Sequence, residues 1–174
     1  MEQKQNEKQK NSNEKPTLRA DGILVYGTPQ PNEEKRKTIS AVIQRKSDKK
    51  FLLVKWNKFG WIAPVIGGID EGESPEQATE REVLEETGYK VKAIKKLGKE
   101  IESHFFAENK NVYRYRIDQA VLCELENETA QTIDEKEKAQ QEVIWLTAEQ
   151  AIKEITHSYN SNGIKRYLGW NESE

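Results

Sequence analysis

Apolar positions along this chain fall into short runs that switch period once in the first half and again near the end. A first apolar run spans Ile23 to Tyr26, followed by a Gly-Thr-Pro-Gln-Pro turn and a charged loop through Lys37. Thr38 to Gln44 and Lys50 to Trp56 read as strands. The Ser-Asp turn signal between them, within Arg45 to Lys49, makes the pair a predicted hairpin. Trp61 to Ile66 is a third extended run, broken by Pro64 and stopped by Gly67-Gly68. From Ser74 the pattern becomes helical. Ser74 is an N-cap with Pro75 at the first helical position, helix formers continue to Thr87, and Gly88 is a stop. Tyr89 to Leu97, Glu100 to Phe106 and Val112 to Leu125 read as strands. The last places Tyr113, Tyr115 and Ile117 opposite Arg114 and Arg116. Residues 126 to 141 form a long acidic loop, a length that in compact domains often carries function. A strand from Glu142 to Leu146 follows. Thr147 with Gln150 then makes a capping box for a helix through Ile155, and Gly163 to Trp170 makes a short amphipathic helix. Strands interleaved with about three helices predict an α/β sandwich.

Composition sets the frame for that order. With 174 residues, one domain and a tail are expected. Residues 1–19 are polar with almost no apolar content and read as a disordered tail; residues 20–174 read as the domain. The tail carries five Lys and Arg against three Glu, so a weak nucleic-acid arm is the alternative to a solvated tail. The formal net charge of -2 gives no global pull toward nucleic acid or membrane. No apolar run is long enough to span a bilayer, and the first residues lack the core of a secretory signal. The single cysteine, Cys123, sits in an apolar stretch and reads as a buried structural thiol, which makes a reducing, cytoplasmic setting the default.

The chemistry concentrates in Gly67 to Tyr89. Glu82, Glu85 and Glu86 stand at i, i+3 and i+4, so a helix puts three carboxylates on one face. Each like-charge pair costs about 0.2–0.5 kcal/mol. The cluster also lies toward the helix C-terminus, where the macrodipole disfavours negative charge. A divalent cation reverses that balance. Oxygen ligands without Cys or His partners suit Mg²⁺ or Mn²⁺ rather than zinc. Gly67-Gly68 after a strand lets the backbone approach a ligand closely, and the P-loop pattern is absent.

The same segment resembles the Nudix box, G-x5-E-x7-R-E-U-x-E-E-x-G-U with U apolar, at every defined position; Tyr89 fills the last one loosely. The resemblance implies a Nudix-type α/β/α sandwich with a mixed β-sheet. It also implies hydrolysis of a nucleoside diphosphate linked to another moiety, by metal-activated attack of water on phosphorus. It makes Glu82 and Glu86 the principal metal ligands, assisted by Glu85 and by the backbone carbonyl of Ile66. Arg81 and Glu73 are expected to pair and brace the loop against the helix. The general base stays open between Glu85 and a loop carboxylate such as Glu135 or Glu137.

The substrate is less legible. Phe105 can stack on a base or pack in the core. Arg114 and Arg116, like Lys55, can meet phosphates, although strand alternation gives a plainer reading as exposed charges. Trp56 and Trp61 offer base stacking, with core packing the simpler role; His104 and His157 lack metal-like spacing. The stretch from His104 to Arg116, with Glu142 to Trp145, also resembles Nudix domains within some bacterial leucyl-tRNA synthetases. That likeness motivates the rival expectation of a nucleotide- or RNA-binding accessory module. A nucleotide-type small molecule is the expected partner, membrane is not, and the Nudix likeness leaves a homodimer open.

Overall fold

The computed structural model describes residues 15–172. In chain order the elements are β1 (Thr17–Leu18), β2 (Leu24–Tyr26), β3 (Glu34–Ile43), β4 (Phe51–Trp56), β5 (Ile62–Ala63), β6 (Ile66–Gly68), α1 (Pro75–Thr87), β7 (Val91–Lys96), β8 (Ile101–Ala107) and β9 (Val112–Leu125). Then follow α2 (Glu135–Gln140), β10 (Gln141–Leu146), α3 (Ala148–Glu154), a 3₁₀ turn (Ser158–Ser161) and α4 (Asn162–Leu168).

The central pairing is β3 with β9, parallel over ten residues from Glu34↔Arg114 to Ile43↔Cys123. Its inner half is buried on both faces, as continuous apolar runs in parallel pairs require. Ile39, Ala41 and Ile43 face one cluster with Ala78 and Val83 of α1. Val42 and Ala120 face the other, with Ala151 of α3 and Ile164 of α4. Helices therefore cover both faces, and the expected α/β/α sandwich with a mixed sheet is present. The larger sheet runs β1-β2-β8-β9-β3-β6, with β7 also on β9; the smaller runs β10-β4-β5.

Four expectations need correction. The hairpin between Thr38–Gln44 and Lys50–Trp56 does not form. The turn is made, with Lys50 carbonyl accepting from Arg45 N–H, but only the bridge Gln44↔Phe51 follows it. The two strands then separate into different sheets, because β9 and β6 take both edges of β3. The charged loop through Lys37 is in fact the start of β3: Glu34 to Lys37 pair with Arg114 to Ile117. The long loop ends in α2, capped by Asp134 through its side chain to Lys136 N–H. Finally, the boundary at residue 19 falls inside paired structure. Thr17 and Leu18 pair with Val25 and Leu24, and Arg19 reaches Glu102 at 3.0 Å. The rest of the expected tail, residues 1–14, lies outside the described residues. Among the described residues, no helix is long and apolar enough to cross a membrane.

Candidate active site

The acidic helix is fixed at both ends by its own sequence. Ser74 accepts from Gln77 N–H while the Gln77 side chain accepts from Ser74 N–H, a reciprocal cap. Gly88 closes the other end at φ 74°, a conformation that favours glycine. Val83 and Ala78 bury the inner face, which leaves Glu82, Glu85 and Glu86 along the flank beside β6.

Arg81 organises this flank. Its guanidinium donates to Glu73 through Nε (2.9 Å) and Nη2 (2.8 Å), to Glu82 Oε1 through Nη1 (2.8 Å), and to the Gly68 carbonyl (3.0 Å). Glu85 lies 3.4 Å from Nη1 and is mostly exposed. One fork thus ties the box loop to the helix, as expected for Arg81 and Glu73. The hydrogen bonds from Arg81 hold the Glu73 carboxyl down at about 2.

Glu86 is different. Its Oε2 is buried and has no hydrogen-bond partner. Burial pushes its carboxyl up to about 8, and the charge of Glu82, then of Glu137 and Glu85, adds to this; a contact from Gln141 works the other way. A buried carboxylate oxygen aimed at no protein donor, beside further carboxylates, has the chemistry of a hard-cation ligand. Among the described residues no three acidic, His or Cys side chains form a ready-made metal cage, and Arg81 holds Glu82. The donor set still fits a divalent cation, with Glu86 as its anchor. Ile66, at the start of β6, stands one residue before Gly67, where the Glu82 side chain fills the space a Cβ would need.

The two loop carboxylates separate here. Glu135 is exposed and pairs with Lys138 at 2.8 Å. Glu137 is half-buried, and its charge is felt by Glu86.

Ile66 also lines a cavity of about 770 Å³. Phe59 stacks on Trp61 at 4.4 Å, Trp61 meets His157 edge-on, and His157 and Phe105 both stack on Tyr159. Phe105 and Arg116, both expected at the substrate, sit together in this lining. Arg116 corrects the exposed-charge reading: it is 6% exposed. Arg114 departs from both readings. It is outside the cavity lining, mostly buried, and paired with Glu34 at 3.1 Å. Lys55 is half-exposed and faces Glu142. Trp56 and Trp61 both line the cavity, and Trp56 also packs against the core, as the simpler reading expected.

Two site residues escaped the sequence reading. His157 lines the cavity with its Nδ1 buried and unpartnered, and burial lowers its pKa to about 4, so it is neutral at pH 7. Its place in the wall depends on Trp61, nearly a hundred residues earlier, as well as on the neighbouring Tyr159, so local spacing alone did not announce it. Arg36 stands with Nη2 against Gly68, 2.7 Å from where a Cβ would be. It was hidden in the charged stretch that proved to be β3. His104 stacks on Tyr115 and contacts Glu33 at 2.9 Å.

The sequence description of the NUDIX domain matches residues 34–167. No curated protein sequence matches. Among solved structures, a NUDIX hydrolase from Nitrosomonas europaea is similar at 23% identity, covering 78% of this chain and 90% of that one, TM-score 0.54. The E. coli dihydroneopterin triphosphate pyrophosphohydrolase is similar at 18% identity over 76% and 94%, TM-score 0.57. A C. elegans Ap4A hydrolase complex is similar at 18% over 78% and 95%, TM-score 0.56. At these identities the structures speak for the fold, while the domain match covers most of the chain together with the acidic helix and its arginine brace: the chain belongs to the Nudix family.

Proposed function

We propose that the chain hydrolyses a phosphoanhydride bond in a nucleoside diphosphate linked to a further group, such as ADP-ribose, a dinucleoside polyphosphate, a nucleotide sugar or a nucleoside triphosphate. The observation that carries the reading is the buried, unpartnered Glu86 Oε2 beside Glu82 and Glu85, in a molecule with an aromatic cavity that Ile66 of β6 lines.

Glu86 and Glu82 would hold Mg²⁺ or Mn²⁺, with Glu85 and the Ile66 carbonyl assisting. When bound, the cation supplies positive charge that acidifies water and offsets charge growing on phosphoryl oxygens. Arg81 keeps Glu82 and the Gly68 carbonyl in register with the helix, so the carboxylates need little rearrangement. Arg36, beside Gly68 and without an ion-pair partner among the described residues, is placed to meet a phosphate oxygen. Glu85 and Glu137 remain the candidates to take the proton from water. Glu135 is set aside, because Lys138 engages it at the surface. Rings of the cavity offer flat apolar walls for a base. The intact box carboxylates favour turnover over the accessory-module reading.

The test is a phosphate-release screen of the full chain with Mg²⁺ against those four substrate classes. Turnover of at least one is expected; no turnover by folded, metal-loaded protein would count against the proposal.

A further inference from the structure

We infer that the aromatic cavity takes the base of a 6-oxopurine nucleotide, with Arg116 reading the two-acceptor edge of the ring. This rests on the nucleotide-hydrolase reading above and names its substrate class.

Arg116 is a buried cation with no carboxylate partner among the described residues. Its Nη2 donates to Asn160 Oδ1 at 2.7 Å, and its Nε is buried without a partner. The acid two residues along on the same face of β9, Asp118, is already engaged by the Thr38 and Ser40 hydroxyls at 2.5 and 2.7 Å. The guanidinium lies over the rings of Tyr159 (5.0 Å) and Phe105 (5.8 Å). A buried charge left this way is costly unless something in the cavity completes it.

Two kinds of ligand group could do so: an anion, or a neutral edge rich in acceptors. The surroundings select the second. The groups against the Arg116 guanidinium are the rings of Phe105 and Tyr159, which suit a flat uncharged heterocycle; the remaining cations of the lining, Lys58 and Lys110, come from other segments. The exposed Arg36, against Gly68 of the box loop, is the better phosphate contact. The two arginines thus divide the nucleotide: Arg36 toward its phosphates, Arg116 toward its base.

The guanidinium offers only donors. A 6-oxopurine presents O6 and N7, two adjacent acceptors, and matches that fork. Adenine presents an amino donor beside N7 and sets N–H against N–H. His157, stacked on Tyr159 and edge-on to Trp61, extends the flat wall for the ring.

The test is calorimetric titration of the full chain, in EDTA to prevent turnover, with GMP, AMP, UMP and ribose 5-phosphate. GMP should bind at least tenfold more tightly than AMP or UMP, with ribose 5-phosphate weakest. Arg116→Gln sets an acceptor beside a donor, the arrangement adenine matches, so the GMP:AMP preference should vanish or invert. Trp61→Leu should weaken the three nucleotides by a similar factor and keep their order, and it decides the matter if Arg116→Gln fails to fold. The inference is overturned if AMP binds as well as GMP or ribose 5-phosphate matches GMP. It is equally overturned if the preference survives in folded Arg116→Gln, or if Trp61→Leu binds GMP like the parent. Because no turnover is read, a failed hydrolysis screen leaves this result standing. Hydrolysis of all bases alike would sink only the base assignment.

Discussion

The side chain of Glu82 occupies the space that a methyl group on Gly67 would need: a Cβ at residue 67 would overlap Glu82 Cγ and Cδ. Gly67 has no positive φ, so alanine meets no backbone obstacle there. The requirement for glycine is room for a carboxylate. Gly67→Ala should therefore displace Glu82 while leaving the fold intact. A shift of about 1 Å at such a site can lower the rate about 100-fold. Steady-state kinetics with a circular dichroism spectrum checks this. A folded Gly67→Ala enzyme with the parent rate would show that the position of Glu82 does not matter.

Arg81 should not tolerate a change to lysine. The guanidinium makes hydrogen bonds to Glu73, Glu82 and the Gly68 carbonyl together, and a single ammonium cannot span them. Arg81→Lys is expected to lower kcat about 10- to 100-fold with a modest change in melting temperature. Equal kcat in the two proteins would remove the bracing role.

Two carboxyls should shape stability against pH in opposite senses. Glu86 titrates near 8 in the folded chain against an ordinary value near 4.5. Between those values the unfolded chain has lost a proton that the folded chain keeps, so stability falls as pH rises through the window. In EDTA, Glu86→Gln should melt higher than the parent at pH 8, by a few degrees, and close to it at pH 5. Glu73, held near 2, contributes stability that is complete above about 4.5 and fades as pH falls toward 2. Parallel melting curves for parent and Glu86→Gln from pH 5 to 8 would contradict the burial of that carboxyl.

Cys123 should be inert. Burial pushes its thiol up to about 12, and it is 2% exposed within the core beside Val121. Native protein at pH 8 should resist iodoacetamide and keep full activity, and labelling should appear only on unfolding. Rapid native labelling would show that this core opens.

What was legible in the sequence was what is local. The cap at Ser74, the stop at Gly88 and the face shared by Glu82, Glu85 and Glu86 each depend on residues within one helix, and all three are present. Strand pairing is not local. Nothing near Thr38 says that β9, some eighty residues on, will lie beside β3 and deny it the hairpin with β4. The same holds for the cavity. Arg116 looked like an outward charge on an alternating strand, and it is buried because Tyr159 and Asn160 of the 3₁₀ turn close over it. His157 and Arg36 were invisible for the same reason: their roles are made by neighbours distant in sequence.

The central claim is that Glu86 holds the cation on which phosphoanhydride cleavage depends. Its most direct test is kcat of Glu86→Gln beside the parent, in Mg²⁺, on whichever nucleoside diphosphate derivative the parent turns over. The expected result is a drop of at least about 100-fold with the fold intact. An unaltered rate in a folded Glu86→Gln chain would contradict the account.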